Sequence, residues 1–335
     1  MTLTDSQIDV FVGKALHLGK DKRQEFIGQA DRLIEGLRAK INEDGSFGVT
    51  GFLKTGSLMK GTVLKPRGEH GVDADIAVLL DLSESDRKDV ERLHEIIRKL
   101  LIAVYPTKSE QDFVVQPRTL GISFIASGLD VDLVPVIPIS TEPGYGWQPS
   151  SEGGAPVKTS IEKQLAFIKE RRDADSRFRT LVRLAKHWRN TCELDEFRSF
   201  TIELILCHLQ DTQGVATSLE DGLRRFFRYI YQSGLKKPIS FSENGTVPSY
   251  PTSPVVVLDP VNKNSNVAMR LTVAEREEIV AAAKTAWETL EAASWKGNKG
   301  ETLDLWREIM GRPFTIDPEY PRRSTHRHLR LRRER

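Results

Sequence analysis

The most informative stretch of the sequence reads Val72-Asp73-Ala74-Asp75-Ile76-Ala77-Val78-Leu79-Leu80. Apart from the two aspartates, this stretch is apolar, which predicts a central strand. Side chains two positions apart in a strand point to the same face, so Asp73 and Asp75 project together while Ala74 points away. Two adjacent carboxylates repel each other and need a cation or a shared proton, and Mg²⁺ prefers carboxylate oxygens together with substrate phosphates. The stretch therefore predicts a strand that carries a divalent-metal site.

A turn of small residues precedes this strand, in Gly56-Ser57-Leu58-Met59-Lys60-Gly61-Thr62. It lies between a predicted strand and the start of a predicted helix, where backbone N–H groups can approach phosphate oxygens. The interval from Gly56 to Gly61 is similar to that of a P-loop, but Lys60 precedes Gly61 and the Gly-Lys-Ser/Thr ending is missing. The turn therefore predicts phosphate binding and disfavours a Walker-type ATPase.

Further carboxylates occur on a later predicted strand, Leu129-Asp130-Val131-Asp132-Leu133-Val134-Pro135. Asp132 leads into the apolar end of this strand, but Asp130 lies on the same face, so spacing alone leaves both open. Three carboxylates from adjacent strands could hold two metal ions about 3.5–4 Å apart. One ion would activate an attacking hydroxyl, and the other would bind a triphosphate and stabilise the leaving pyrophosphate.

The order of predicted elements indicates an α/β (α+β) fold with two lobes. Residues 1–150 contain an N-terminal helix and the predicted strands, and we assign them to a mixed-sheet catalytic lobe. The stretch 140–158 is rich in Pro, Gly and Ser and is the expected crossover between lobes. Residues 151–320 are expected to form a helical lobe, interrupted by a loop-rich region at 234–266. Residues 321–335 are expected to form a basic, disordered tail.

Charge and composition limit the function classes. The 335 residues carry a formal net charge of +2, but the tail holds seven arginines and one glutamate, so that residues 1–320 sum to −4. A strongly basic body is therefore excluded. No apolar run approaches the roughly 18–20 residues of a membrane span, and the N-terminus lacks a signal-peptide pattern. Cys192 and Cys207 are expected to be free thiols of a cytoplasmic protein without membrane contact.

The motifs together resemble a known superfamily. Gly56-Ser57, then Asp73-x-Asp75, then a single aspartate on a later strand, resembles the signature of the DNA polymerase β-like nucleotidyltransferases. The second lobe is similar to that of the 2′-5′ oligoadenylate synthetases and cyclic GMP–AMP synthase. The segments that carry this similarity contain Lys186 (Leu181–Trp188), Ser199 (Arg198–Glu203), Asp259 (Leu258–Asn262) and Asn266 (Asn266–Ala268). The strand Gly128–Val136 looks especially like clade C of the bacterial CD-NTases of CBASS anti-phage defence.

The resemblance implies which residues would form the site. Asp73, Asp75 and Asp132 would be the catalytic carboxylates and would hold two Mg²⁺ ions, with Mn²⁺ as the alternative metal. Asp132 is identified as the third aspartate because two apolar residues and a proline follow it, and it would also help to deprotonate the attacking ribose hydroxyl. The nucleotide-binding residues would be Gly56, Ser57, Lys186, Ser199, Asp259 and Asn266.

The resemblance also implies a function. A relative of these enzymes would join nucleoside triphosphates, rich in ATP, into a cyclic tri- or dinucleotide second messenger with release of pyrophosphate. Its expected partners are a HORMA-domain activator protein and DNA. One alternative is a linear RNA nucleotidyltransferase of the poly(A) or CCA-adding type, which predicts a more basic body than residues 1–320 provide. Another is a non-catalytic nucleotide or RNA sensor, which predicts the loss of an aspartate. Base choice, ring size and linkage stay open at this stage.

Overall fold

A sheet lobe and a helical lobe make up the structure, a computed structural model that describes residues 1–44, 48–66, 71–150 and 155–317. The helices and strands of the first 159 residues are α1 (Asp5–Phe11), α2 (Lys20–Asp44), β1 (Gly48–Thr55), α3 (Gly56–Lys60), β2 (Val72–Asp81), α4 (Val90–Val104), β3 (Phe113–Val115), β4 (Leu120–Phe124), β5 (Leu129–Pro138), β6 (Gly146–Gln148) and β7 (Val157–Thr159). The arginine-rich tail lies outside the described residues.

Seven strands of the described residues form one mixed sheet, in the order β1-β2-β5-β4-β3, with β6 and β7 continuing from β5. β2 and β5 run parallel, and the other pairs in this sheet are antiparallel. A parallel pair needs a long connection, which the segment with α4, β3 and β4 provides. The parallel pair therefore lies at the centre of the sheet, as the apolar sequence of β2 predicts.

The two faces of the β2–β5 pair are covered differently because successive side chains alternate between them. On one face, apolar side chains such as Ile76 and Leu133 are buried in a core shared with α2 and α4. On the other face, Ala77 and Val134 pack under Ile161 of α5 (Ile161–Ala174). Two positions earlier in each strand, on this same face, stand the aspartates Asp75 and Asp132. The aspartates thus stand at the uncovered end of an otherwise buried face.

The helical lobe follows α5. Its elements are α6 (Phe178–Thr191), α7 (Ser199–Gln213), α8 (Leu219–Ser233), β8 (Leu258–Asp259), β9 (Asn262–Asn266), α9 (Val273–Trp295) and α10 (Lys299–Met310). Its core includes Ile8 and Phe11, so that α1 packs with the helical lobe whereas α2 packs with the sheet. Among the helices described, none has the length and apolar character needed to cross a membrane.

The two-lobed α/β architecture expected from the sequence is confirmed, and both cysteines are free. Two regions expected to be loops nevertheless contain short strands. The stretch 140–158 contributes β6, which pairs with the end of β5, and part of β7, while the region 234–266 contains the hairpin of β8 and β9. Strands of two to five residues carry too little alternation to be visible in a sequence.

We expect Trp188→Ala to destabilise the protein by about 3–5 kcal/mol, because it removes a large side chain from a closed core. Trp188 is 1% exposed, and its ring packs edge-on against Phe226 and Phe227. Urea unfolding followed by far-ultraviolet circular dichroism measures the loss. The matched control is Trp295→Ala, since Trp295 is 85% exposed and its removal should change the free energy of unfolding by at most about 0.5 kcal/mol. Equal losses in the two variants would contradict the assigned core.

Candidate active site

Four aspartates form a row on one face of the central strand pair. In the parallel register, Asp73 lies beside Asp130 and Asp75 lies beside Asp132. Paired residues of adjacent strands point to the same side of a sheet, so all four carboxylates share the face that α5 leaves uncovered. Asp73 is exposed, and the other three are half-buried. The carboxylate pair expected from β2 is therefore part of a larger acidic row.

The structure separates Asp132 from Asp130, which spacing alone could not do. Asp132 lines a cavity together with Asp73 and Asp75, whereas Asp130 does not line it. The neighbouring strand leaves room for Asp132 at Gly121, where an added Cβ would lie 2.8 Å from Asp132 Oδ1. Among the four aspartates of the row, Asp132 is therefore the one that lines the cavity with Asp73 and Asp75, and its catalytic role stays a prediction.

Burial and neighbouring charges affect the ionisation of two carboxylates in the row. Burial, together with the charges of the three neighbouring aspartates, raises the pKa of Asp132 to about 6. Burial likewise raises the pKa of Asp75, and this effect is opposed first by the positive charge of Arg118, a residue that no sequence motif pointed to. Carboxylates that are buried and crowded in this way favour binding of a cation.

Hard oxygen donors in excess suit a divalent cation such as Mg²⁺, which prefers carboxylate oxygens and keeps positions for water and phosphate. In the part of the chain that the structure describes, no three His, Cys, Asp or Glu side chains are already arranged around a common metal position. Metal binding by Asp73, Asp75 and Asp132 therefore stays a prediction.

The Gly56-Ser57 turn packs directly against the carboxylate row. Gly56 has φ +73°, a left-handed conformation that glycine adopts without cost, and an added Cβ would lie 1.7 Å from Asp75 Oδ2. β1 ends and α3 begins at this point, opposite Asp75 in the antiparallel register. Ser57 lines the cavity. The first N–H groups of a helix are not used within the helix, so this turn brings backbone donors close to the carboxylates.

Basic side chains hold the other end of α3. Arg23 donates to the carbonyl oxygens of Leu58 and Met59 at 2.9 and 3.2 Å, and Arg183 of the helical lobe donates to that of Gly61. The last carbonyls of a helix carry partial negative charge and lack partners within the helix, so cationic donors stabilise them. The position of the Gly56-Ser57 turn, called the phosphate turn below, therefore depends on contacts from both lobes.

Lys186 also crosses between the lobes. Its Nζ donates to the Thr62 carbonyl oxygen at 3.1 Å, and the side chain is 6% exposed. The pKa of Lys186 is lowered to about 8, mainly by burial; the negative charge of Glu203 opposes the shift, and neighbouring cations, Arg189 foremost, contribute to it. A buried ammonium group with unused donors beside a cavity is suited to bind an anion.

Ser199 lies at the first position of α7 on the same side of the cavity. Its Oγ accepts a hydrogen bond from Arg189 Nη1 at 3.4 Å. Two cavity residues that the sequence did not single out are Lys60 and Glu203, which form an ion pair with an Nζ–Oε2 distance of 2.7 Å. Both stand inside motifs that the sequence did single out, but nothing in a sequence pairs residues that lie 143 positions apart.

A cavity of about 790 Å³ between the lobes brings most of the expected site together. Seven of the nine expected residues line it, namely Gly56, Ser57, Asp73, Asp75, Asp132, Lys186 and Ser199. Its size lies within the range of small-molecule sites. The expected phosphate-binding groups and the carboxylates therefore line one cavity.

Asp259 and Asn266 do not line this cavity. Asp259 is buried and accepts from Gln164 Nε2 at 2.6 Å and from the Val261 N–H at 3.0 Å. Asn266 is buried as well, and its side chain bonds the backbone on either side of β9, with Val257 N–H donating to its Oδ1 at 3.0 Å. These contacts hold the hairpin, and a nucleotide contact by either residue stays a prediction.

Comparison with known proteins identifies close relatives, although no protein-family model matches the chain. The chain is 40% identical over 317 residues to the CBASS oligonucleotide cyclase CdnC of Escherichia coli strain KTE188, covering 95% of this chain and 99% of the relative. It is 32% identical over 316 residues to the cyclic AMP-AMP-AMP synthase of Escherichia coli strain MS 115-1, covering 91% of this chain and 95% of that protein.

Solved structures show the same relationship. The structure of Escherichia coli MS115-1 CdnC with ATP matches with a TM-score of 0.81 and 32% identity, covering 93% of this chain and 99% of that one. The structure of the Escherichia coli MS115-1 CdnC:HORMA-deltaN complex matches with a TM-score of 0.79 and 30% identity, covering 93% of this chain and 98% of that one. The likeness therefore extends over both lobes.

We expect Gly56→Ala to reduce nucleotidyl transfer more than about 100-fold, because the new Cβ would displace the Asp75 carboxylate. The matched control is Gly61→Ala. Gly61 has nearly the same backbone strain, with φ +72°, but a Cβ there would meet only the Arg179 side chain, at 3.5 Å. Pyrophosphate release measures transfer, and circular dichroism checks the fold. If both variants lost transfer to the same extent, backbone strain alone would explain the result.

We expect the affinity for a nucleoside triphosphate to fall about tenfold between pH 7 and pH 9, because Lys186 loses its proton as the pH rises through about 8. Anion binding needs the protonated form, so affinity is highest below pH 8. Calorimetric titration with α,β-methylene-ATP measures the effect. Lys186→Arg should remove most of this dependence, since a guanidinium stays charged over the whole range. If the affinity of Lys186→Arg still fell with rising pH, the pH dependence would belong to another group.

Proposed function

Since this chain belongs to the CD-NTase family of CBASS oligonucleotide cyclases, we propose that its cavity joins ATP into a cyclic trinucleotide. The chain is a nucleotidyltransferase that makes a cyclic oligonucleotide in anti-phage defence. The choice of ATP and of three units follows the cyclic AMP-AMP-AMP synthase to which the chain is similar. The observation that supports the reaction most directly is the register that puts Asp75 beside Asp132, with Gly56 packed against Asp75 in the same cavity as Lys186.

The triphosphate would bind at the basic side of the cavity. Backbone N–H groups at the start of α3 and the hydroxyl of Ser57 face the cavity from the sheet lobe, while Lys186 and Ser199 face it from the helical lobe. Ammonium, hydroxyl and backbone donors are the groups that bind phosphate oxygens in proteins. Contacts from both lobes would hold the triphosphate so that its α-phosphorus lies towards the aspartates.

Transfer would take place at the carboxylate row. The ribose hydroxyl of one nucleotide attacks the α-phosphorus of another, the bond from that phosphorus to the bridging oxygen breaks, and pyrophosphate leaves. Asp132 would take the hydroxyl proton, since it lines the cavity beside Asp75, where the attacking hydroxyl would lie. Mg²⁺ held by Asp73, Asp75 and Asp132 would neutralise charge on the attacking and leaving oxygens. Repetition of the same step would lengthen and then close the product.

A HORMA-domain protein is the activator that we propose, because the structural relative was solved in complex with a HORMA protein. DNA is the second proposed partner, and residues 321–335 with their seven arginines are the segment that would contact it. Reactions with and without each partner test these proposals. An unchanged rate of product formation on addition of the HORMA-domain protein, or of double-stranded DNA, would remove that partner from the scheme.

The function is tested by incubation with the four nucleoside triphosphates and Mg²⁺, followed by phosphatase treatment and mass spectrometry. A cyclic product has no terminal phosphate, so it survives phosphatase and shows the mass of three AMP residues without added water. A ladder of extended products on added RNA would support the linear nucleotidyltransferase instead. Binding of nucleotide without any product, even with the activator, would support the sensor.

We expect Asp132→Asn to reduce product formation more than about 100-fold, because the amide can neither take the hydroxyl proton nor serve as a charged metal ligand. The double change Asp73→Asn and Asp75→Asn should abolish synthesis in the same way. All these variants should stay folded, since they remove like charges from a crowded row. Pyrophosphate release and thermal melting measure the two effects.

Asp130→Asn is the matched control for this prediction. It makes the same change two residues away, on the same strand and the same face, but outside the cavity lining. We expect it to keep at least about a third of the wild-type rate. A loss in Asp130→Asn as large as in Asp132→Asn would show that the cavity does not select the third carboxylate.

A further inference from the structure

Lys60 forms an ion pair across the lobes at the wall of the cavity. It is the last residue of α3, and its Nζ lies 2.7 Å from Oε2 of Glu203 in α7. The same Nζ lies 4.6 Å from the centre of the Phe200 ring, which lines the cavity as well. A lysine that continues the phosphate turn therefore points into the site and not into solvent.

Glu203 stands between the two cavity lysines. It is 1% exposed, its Oε1 accepts from Thr62 Oγ1 at 3.0 Å, and its Oε2 faces Lys60. Lys186 donates to the carbonyl oxygen of the same Thr62, and its ammonium is close enough to feel the charge of Glu203. One buried carboxylate thus stabilises two ammonium groups that would otherwise repel each other in a medium of low dielectric constant.

Stability alone is a weak reason for this arrangement, because a buried ion pair gives little net stabilisation over apolar residues of similar volume. The N–H donors of the two lysines suggest a function in ligand binding. An ammonium group has three N–H donors, and the hydrogen bonds of Lys60 and Lys186 described above take one donor from each. The other donors lie on two side chains that line the cavity.

We propose that Lys60 binds the triphosphate beside Lys186, and that Glu203 is the positioning residue that holds both ammonium groups towards it. This inference rests on the proposed function, since it needs a nucleoside triphosphate in the cavity. Lys60 keeps its contact with Glu203 while it donates to a phosphate oxygen. The phosphate turn then adds a charged donor of its own to those of the helical lobe.

The test compares a ligand with phosphates and one without. Calorimetry in the presence of Mg²⁺ measures the affinity for α,β-methylene-ATP, an analogue that resists transfer. The affinity for adenosine is measured by its displacement of that analogue. We expect Lys60→Met to weaken the triphosphate analogue at least about tenfold and adenosine less than about twofold. Lys60→Arg should recover much of the lost affinity. The matched control is Lys54→Gln, which breaks the ion pair with Asp31 outside this cavity and should leave both affinities unchanged.

A second variant separates phosphate binding from the neutralisation of Glu203. Lys60→Met alone leaves a buried carboxylate without its ion-pair partner, and this could destabilise the fold. Lys60→Met with Glu203→Gln removes both charges and should stay folded. It should still bind the triphosphate analogue at least about tenfold more weakly than the wild type. Recovery of wild-type affinity in the double variant would overturn the proposal.

Glu203→Gln alone tests the positioning role by a pH profile. The charged groups around Lys186 are Glu203, Arg189, Lys60 and Arg183, and Glu203 is the negative one among them. Its removal should move the loss of triphosphate affinity to lower pH, which a purely structural role would not do. An unshifted profile, or an equal loss of affinity for adenosine in Lys60→Met, would contradict the inference. A wild-type protein that binds no triphosphate analogue would instead overturn the proposed function.

Discussion

The parallel pairing of β2 with β5 is the constraint on which the rest of the site depends. It puts Asp75 beside Asp132 and Asp73 beside Asp130, so one face of the sheet must tolerate four carboxylates. Glycine stands where the chain passes closest to them, at Gly56 beside Asp75 and at Gly121 beside Asp132. The same strands bury their opposite face under α2 and α4, and this apolar core offsets the repulsion on the acidic face.

The two lobes are joined at the site by polar contacts. Arg183 and Lys186 of the helical lobe donate to backbone oxygens just after α3, and Glu203 holds Lys60 and Thr62 of the sheet lobe. Buried polar groups need their partners, so these contacts depend on the relative position of the lobes much more sharply than apolar packing does. The phosphate turn and the two cavity lysines therefore keep their geometry only when both lobes are in place.

Much of this site could be predicted from the sequence, for reasons that are local. Strand alternation puts Asp73 and Asp75 on one face, and a glycine-serine turn between strand and helix indicates phosphate binding. Spacing left Asp130 and Asp132 open, and the family resemblance chose Asp132, the one of the two that lines the cavity. The pairing of Lys60 with Glu203 needed the packing of α3 against α7, and such a long-range contact leaves no periodic pattern in a chain. The short strands β6 to β9 are too short to show alternation.

The cavity lining carries charges of both signs, and these charges bear on how a substrate could bind. The carboxylate row contributes Asp73, Asp75 and Asp132, and ammonium groups come from Lys186 and from Lys60, which is paired with Glu203. A triphosphate is repelled by the carboxylates and attracted by the ammonium groups, whereas a divalent cation has the reverse preference. We propose that a triphosphate binds with its phosphate chain at the lysines and its α-phosphorus towards the aspartates. The attacking hydroxyl would then approach from the side of Asp132, which is the expected acceptor of its proton.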